Sequence, residues 1–182
     1  MTSKLKVNLI NDAGDNNLIT SDGSGVITSS KFKIGQVVQT SVTDTFTTSA
    51  STLTDITGLS VSITPTSTSS KILISVNAIF GIQGGHKLMY GLKRDSTAIA
   101  LGDSASSRQR VSGMGRIAND NDMRTCSILF LDTPNTTSST TYQVTGFAEG
   151  SQNLYLNRTY GDGDSVNIGR GISTITAQEV LA

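Results

Sequence analysis

The chain has one cysteine, one histidine, two prolines and no tryptophan in 182 residues. The lone cysteine, Cys126, excludes an intrachain disulfide and a cysteine-rich zinc site. The lone histidine, His86, excludes a multi-histidine metal cluster. Glutamate is almost missing: 12 of the 14 acids are Asp, leaving only Glu149 and Glu179. An excess of one charge is missing too. The 14 basic residues balance the 14 acidic ones, which argues against a basic nucleic-acid-binding surface. No long hydrophobic run exists. The longest, residues 72–82, is interrupted by Ser75 and Asn77 and falls far short of the ~20 residues of a transmembrane helix. Residues 1–10 lack the apolar stretch of about 7–15 residues that a signal peptide needs. The expectation is a protein made in the cytoplasm, without membrane insertion and without an address of its own.

What is present is β-forming and turn-forming. The chain holds 25 Ser, 25 Thr, 18 Gly and 11 Asn. Good helix formers are scarce, so an α/β enzyme with long amphipathic helices is excluded and an all-β fold is expected. A chain of this length fits one domain and can bury roughly 70% of its unfolded surface without disulfide support.

Two regions differ in pattern. In residues 1–35, Leu5, Val7 and Leu9 alternate with Lys4, Lys6 and Asn8, the mark of a half-buried strand. Turn clusters and short strand fragments follow. Isolated pieces of this size are marginal in water and need something to lie against. The segment reads either as an ordered tail packed on its own body or as an arm that anchors the protein on another subunit or another protein, and the second reading is the one adopted. From residue 36 onward the strand signals become regular, giving a body over residues 36–182. Leu59, Val61 and Ile63 share one parity. So do Ile72, Ile74, Val76, Ala78, Phe80 and Ile82, which predicts a core strand of a half-solvated sheet. Further strands are expected at 36–45, 87–93, 97–101, 125–131, 141–148, 153–158 and 172–181. Eight or nine strands at this spacing predict a β-sandwich or barrel.

Residues 103–124 break the rhythm. They are polar and carry Arg108, Arg110, Arg116 and Arg124. A loop this long in a small domain is uncommon and often functional. It reads either as a contact surface or as a solvated loop that hides an edge strand around residues 110–117.

The catalytic motifs mostly fail. No Gly-x-Ser-x-Gly elbow or phosphate-binding glycine loop occurs. Glu149, Asp162 and Asp164 are the carboxylates that a glycosidase reading would use. The run Asp162-Gly163-Asp164-Ser165 is oxygen-rich but lacks the spacing of a calcium loop, as does Asn119-Asp120-Asn121-Asp122. Tyr90, Tyr142, Tyr155 and Tyr160 read first as cross-strand packing. Asn157-Arg158-Thr159 matches a glycosylation acceptor in form only.

Residues 45–82 resemble a recurrent module of bacteriophage virion proteins. The likeness lies in Gly58-Leu59-Ser60-Val61-Ser62-Ile63-Thr64-Pro65 followed by Ser70-Lys71-Ile72-Leu73. It is similar to modules in tail-fibre and virion-surface proteins of marine and cyanobacterial phages. The opening stretch from Ser3 to Gly14, with Ser21 to Ile27, resembles the short segments that precede such modules. The resemblance implies a jelly-roll-like β-sandwich of about eight strands that is usually a homotrimer and projects from the virion. Its role would be a short tail fibre or similar surface appendage, or a capsid decoration or cement protein. A glycan-binding or glycan-cleaving β-sandwich is the reading from a different class. The expected partners are a second and third copy, other phage structural proteins reached through the N-terminal arm, and a host surface glycan. No catalytic residue, cofactor or metal is expected. The candidate contact residues are Leu5, Val7 and Leu9 in the arm and Arg108, Arg110 and Arg116 in the long loop.

Overall fold

In the computed structural model of the protein, residues 9–15, 17–21, 27–28 and 33–182 are described. Fourteen strands occur among them. Three short ones, β1 (Leu9–Asn11), β2 (Asn17–Ser21) and β3 (Ile27–Thr28), pair with one another in the order β1-β2-β3. The other eleven build two sheets. They are β4 (Ile34–Val42), β5 (Phe46–Thr48), β6 (Thr54–Ile63), β7 (Lys71–Gly81), β8 (Lys87–Arg94) and β9 (Thr97–Ile99), then β10 (Gly113–Arg116), β11 (Arg124–Asp132), β12 (Thr140–Ala148), β13 (Leu154–Leu156) and β14 (Ser173–Val180).

The order of pairing defines the architecture. β4 pairs with β14, β6 with β12, β7 with β11, and β8 with β9 and β10, all antiparallel. Taken as eight rows in chain order, the first pairs with the eighth, the second with the seventh, the third with the sixth and the fourth with the fifth. This is one long hairpin rolled on itself. Two further seams close the roll: β7 against β14 and β8 against β12. One sheet then reads β11-β7-β14-β4, with β13 and β5 extending the β14 and β4 rows; the other reads β9/β10-β8-β12-β6. The body is a jelly-roll β-sandwich of eight rows, as the sequence and its resemblance led us to expect.

Alternation explains which face each strand buries. On β7, Ile72, Ile74, Ala78 and Phe80 are at most 1% exposed and Val76 is 3% exposed, and Ile82, just past the strand's end, is fully buried. Leu59, Val61 and Ile63 of β6 meet them from the opposite sheet, together with Leu88, Leu92 and Val144. A single core therefore fills the space between the sheets.

One irregularity shifts the parity. In β6, Ser60 pairs with Gln143 and Asp55 with Thr145, so residues 56–59 bulge outward against a single residue, Val144. Gly58 makes the bulge with φ of 85°, a conformation that side chains resist. Ile56 and Leu59 both face inward as a result. The carbonyls freed by the bulge are not left bare: the Gln143 side-chain amide donates to Ile56 O at 2.8 Å and Leu59 O at 3.1 Å.

The two outer faces differ. On the β11-β7-β14-β4 sheet, one cross-strand row runs Leu131, Leu73, Gln178, Val37. The next runs Leu129, Ser75, Thr176, Gln39, and a third runs Ser127, Asn77, Thr174, Ser41. None of these positions is charged. The outer face of the other sheet carries Lys93 paired to Asp55 at 2.7 Å, and Lys87 beside Arg116 and paired to Glu149 at 3.4 Å.

Candidate functional site

The arginine-rich stretch contains strand β10, which adds to the edge of β8 with Gly113 opposite Tyr90 and Arg116 opposite Lys87. Residues 103–112 form the loop that precedes it. Its neck is closed twice. Gly102 N–H donates to Val111 O at 3.3 Å, and Arg110 Nε donates to Gly102 O at 2.8 Å. Within the loop, Arg108 N–H donates to Ala105 O at 3.1 Å around Ser106, which has φ of 52°.

The candidate arginines therefore hold different positions. Arg108 sits exposed in the loop turn. Arg110 lies at the neck and spends its Nε on a backbone carbonyl. Arg116 lies at the far end of β10, where its Nε donates to Gly85 O at 3.1 Å. The structure brings Arg108 and Arg110 into one loop and places Arg116 beside Lys87 on the outer sheet face. Between the loop neck and β11 runs an open cleft bordered by Leu101, Val111, Ser127 and Leu129. Of the arm residues, Leu9 is 46% exposed in β1, opposite Thr20, whereas Leu5 and Val7 lie outside the described residues.

The remaining polar clusters are occupied in holding the fold. Asp162 is gripped by Arg158 at 2.8 Å and by Arg170 at 2.8 Å, so its negative charge is already balanced. Asp120 accepts Gly84 N–H at 2.8 Å, and Asn119 donates to Asp122 at 2.9 Å, which ties that loop to the turn before β8. Arg158 lies over the Tyr155 ring at 4.0 Å from its centroid, with Tyr160 meeting Tyr155 edge-on at 6.0 Å. These tyrosines pack. His86 Nδ1 stands 3.9 Å from half-buried Glu149, which Lys87 also meets from the exposed side.

Three buried polar hubs were not foreseen. Asp132 accepts from Arg94 at 2.8 Å and from the Tyr142 hydroxyl at 2.7 Å, joining β11 to β8 and β12 across the sandwich. Burial, then the bond to Asp132, pushes the Tyr142 phenol far above its ordinary value. Asn157, fully buried with φ of 60°, donates to Val42 O at 2.8 Å and Asp44 O at 3.0 Å and accepts from Ser173 Oγ at 2.6 Å. A glycan has no access to that amide. Glu179, fully buried, accepts from Thr66 N–H at 2.6 Å, Thr66 Oγ1 at 2.7 Å and Gln36 Nε2 at 3.1 Å. Burial pushes its carboxyl up, but the Thr66 and Gln36 donors outweigh this and hold it below its ordinary value. The signal for Asp132 and Glu179 was their parity, since each continues the inward-facing positions of its strand. Cys126 is also buried, and burial pushes its thiol up to about 12, so it is protonated at neutral pH.

No family model matches the chain, and no curated protein matches it. Among solved structures, that of the infectious bursal disease virus Gt strain overlays 87% of this chain and 41% of its own, with a TM-score of 0.42 and 14% identity. The VP2 subviral particle of the same virus overlays 87% of this chain and 40% of its own, with a TM-score of 0.39 and 15% identity. A mutant VP2 protein in T=1 particles overlays 99% of this chain and 44% of its own, with a TM-score of 0.40 and 13% identity. The chain spans about two-fifths of the length of those proteins. An overlay this partial does not define a common fold, and the jelly-roll topology stands on the chain's own pairings.

Proposed function

We propose that this protein is a non-enzymatic structural protein of a bacteriophage virion. It forms a homotrimeric surface appendage, a short tail fibre or similar, anchored by an arm over residues 1–35 and presenting the body of residues 36–182. The observation that carries the reading is the rolled-hairpin sandwich itself, an architecture that recurs in viral capsid and lectin domains. Its interior is filled by apolar side chains and its buried polar groups serve the fold. Such a body offers a rigid platform whose loops carry recognition. The resemblance of residues 45–82 to phage virion modules supports the same reading.

On this reading the arm docks on other phage structural proteins, with Leu9 of β1 and the alternating Leu5 and Val7 as its apolar contacts. Arg108, Arg110 and Arg116 meet carboxylate or phosphate groups on a neighbouring protein, or an anionic host glycan. A capsid decoration protein is the second reading, favoured by the jelly-roll body, an architecture that viral capsid domains use. Antibody labelling of intact particles separates the two. Label at the tail supports the appendage, label over the head supports decoration, and particles that bind no antibody refute both.

A further inference from the structure

We propose that the outer face of the β11-β7-β14-β4 sheet is the surface through which copies of this chain associate. The inference deepens the self-association read above and rests on it.

The two outer faces of the sandwich differ in charge. Solvated surfaces carry interspersed charges, and the outer face of the β8-β12 sheet does so with its Lys93–Asp55 and Lys87–Glu149 pairs. The three cross-strand rows of the opposite outer face carry none. Depletion of charge is the compositional signature of an interface core. The same face exposes large apolar side chains: Leu129 is 74% exposed, Leu131 47% and Val37 55%. Leu131 and Val37 stand in one row with Leu73, and an apolar hollow beside Val180 and Leu181 continues that row towards Lys71. Edge strands in free solution are commonly blunted by charge, proline or a bulge. β11 pairs with β7 over nine residues without a register shift and has no proline, and its outward positions Thr125, Ser127, Leu129 and Leu131 carry no charge.

The occupant is a second copy for three reasons. A charged partner would find no charge to pair with in these three rows. Around a threefold axis this face of each copy meets those of its two neighbours, and Ser, Thr, Asn and Gln each donate and accept, so they can pair with their own kind. The protein carries no net charge, so copies do not repel one another. Size is also sufficient. Four rows about 4.8 Å apart and nine residues at about 3.3 Å give a projected area on the order of 500 Å², and more in accessible surface. A standard interface needs about 800 Å² of accessible surface per partner, which is of the same order as this face.

The test is sedimentation equilibrium of the full-length protein and of two face variants, Leu131→Glu and Val37→Glu. Ser62→Glu, on the opposite outer face, is the control. All are checked for folding by circular dichroism. The expected result is an oligomeric parent and control, with each face variant dissociating at about tenfold higher concentration or more. An oligomeric parent whose face variants behave identically overturns this interface while leaving self-association standing. A parent that stays monomeric up to about 100 µM overturns both. Hydrogen exchange on the parent avoids any folding defect of a variant. Protection of the Leu129 and Leu131 amides should rise with protein concentration. Protection that does not change with concentration overturns the proposal.

Discussion

The guanidinium of Arg94 on one sheet reaches the carboxylate of Asp132 on the other, with Nη1 2.8 Å from Oδ2 and 2.9 Å from Oδ1. Asp132 is 7% exposed, and its second contact, the hydroxyl of fully buried Tyr142, comes from the same sheet as Arg94. The three groups clamp the sandwich where the end of β8 faces the end of β11. Removing Asp132 strands both donors, whereas removing the Tyr142 hydroxyl strands little. Asp132→Ala should therefore lower unfolding free energy by about 3 kcal/mol and Tyr142→Phe by about 1 kcal/mol, read from urea denaturation. Equal losses would contradict the clamp.

The same clamp sets the alkaline limit. The folded-state pKa of Tyr142 lies above the unfolded value of 10.0, so its contribution is complete below that pH. It is lost as pH rises further, because the unfolded phenol ionises first. Stability measured from about pH 9 to pH 11 should fall, and Tyr142→Phe should flatten the slope.

Glu179 sets an acid limit with the opposite sign. Its folded-state pKa lies below the ordinary 4.5, so the stabilisation is present above that pH. It is lost as pH falls, because the unfolded carboxylate takes up a proton first. Glu179→Gln should be less stable than the parent at neutral pH and should show a shallower decline between about pH 5 and pH 3. A variant that retains the parent's acid slope places the titration elsewhere.

Asn157 combines a left-handed backbone with three side-chain hydrogen bonds, and two substitutions separate them. Asn157→Gly keeps the backbone conformation and loses the bonds. Asn157→Ala loses both and should cost about 1 kcal/mol more in thermal or urea unfolding. If the two variants are equally stable, the backbone conformation is not what the position demands.

These hubs show what the sequence could and could not reveal. The strict alternation of β7 made its core face legible from Ile72 to Ile82, and Leu59 to Ile63 were legible for the same reason. The first half of β6 was not, because the Gly58 bulge breaks the alternation and turns both Ile56 and Leu59 inward. β5 is only three residues long, too short for a pattern, and exists because β13 pairs with it. Arg110 and Arg116 read as free contact groups, but each spends a donor on a carbonyl that the turns of this fold bring to it. The two carbonyls that Asn157 caps lie 113 and 115 positions away, beyond any local pattern.

Those latches give the loop arginines different expected behaviour. Arg108→Ala should weaken assembly or adsorption and leave the melting temperature unchanged. Arg110→Ala and Arg116→Ala should also loosen the loop and the β10 edge, seen as faster amide exchange at Gly102 and Ile117. If all three variants assemble and adsorb as the parent does, the arginines only fasten the loop.

The central claim is that this chain is a structural component of a virion, and its copy number in gradient-purified particles tests that most directly. Quantitative mass spectrometry against a capsid-protein standard should find it co-purifying at a fixed number of copies per particle, divisible by three. Its presence in infected-cell lysate together with its absence from purified particles would contradict the account.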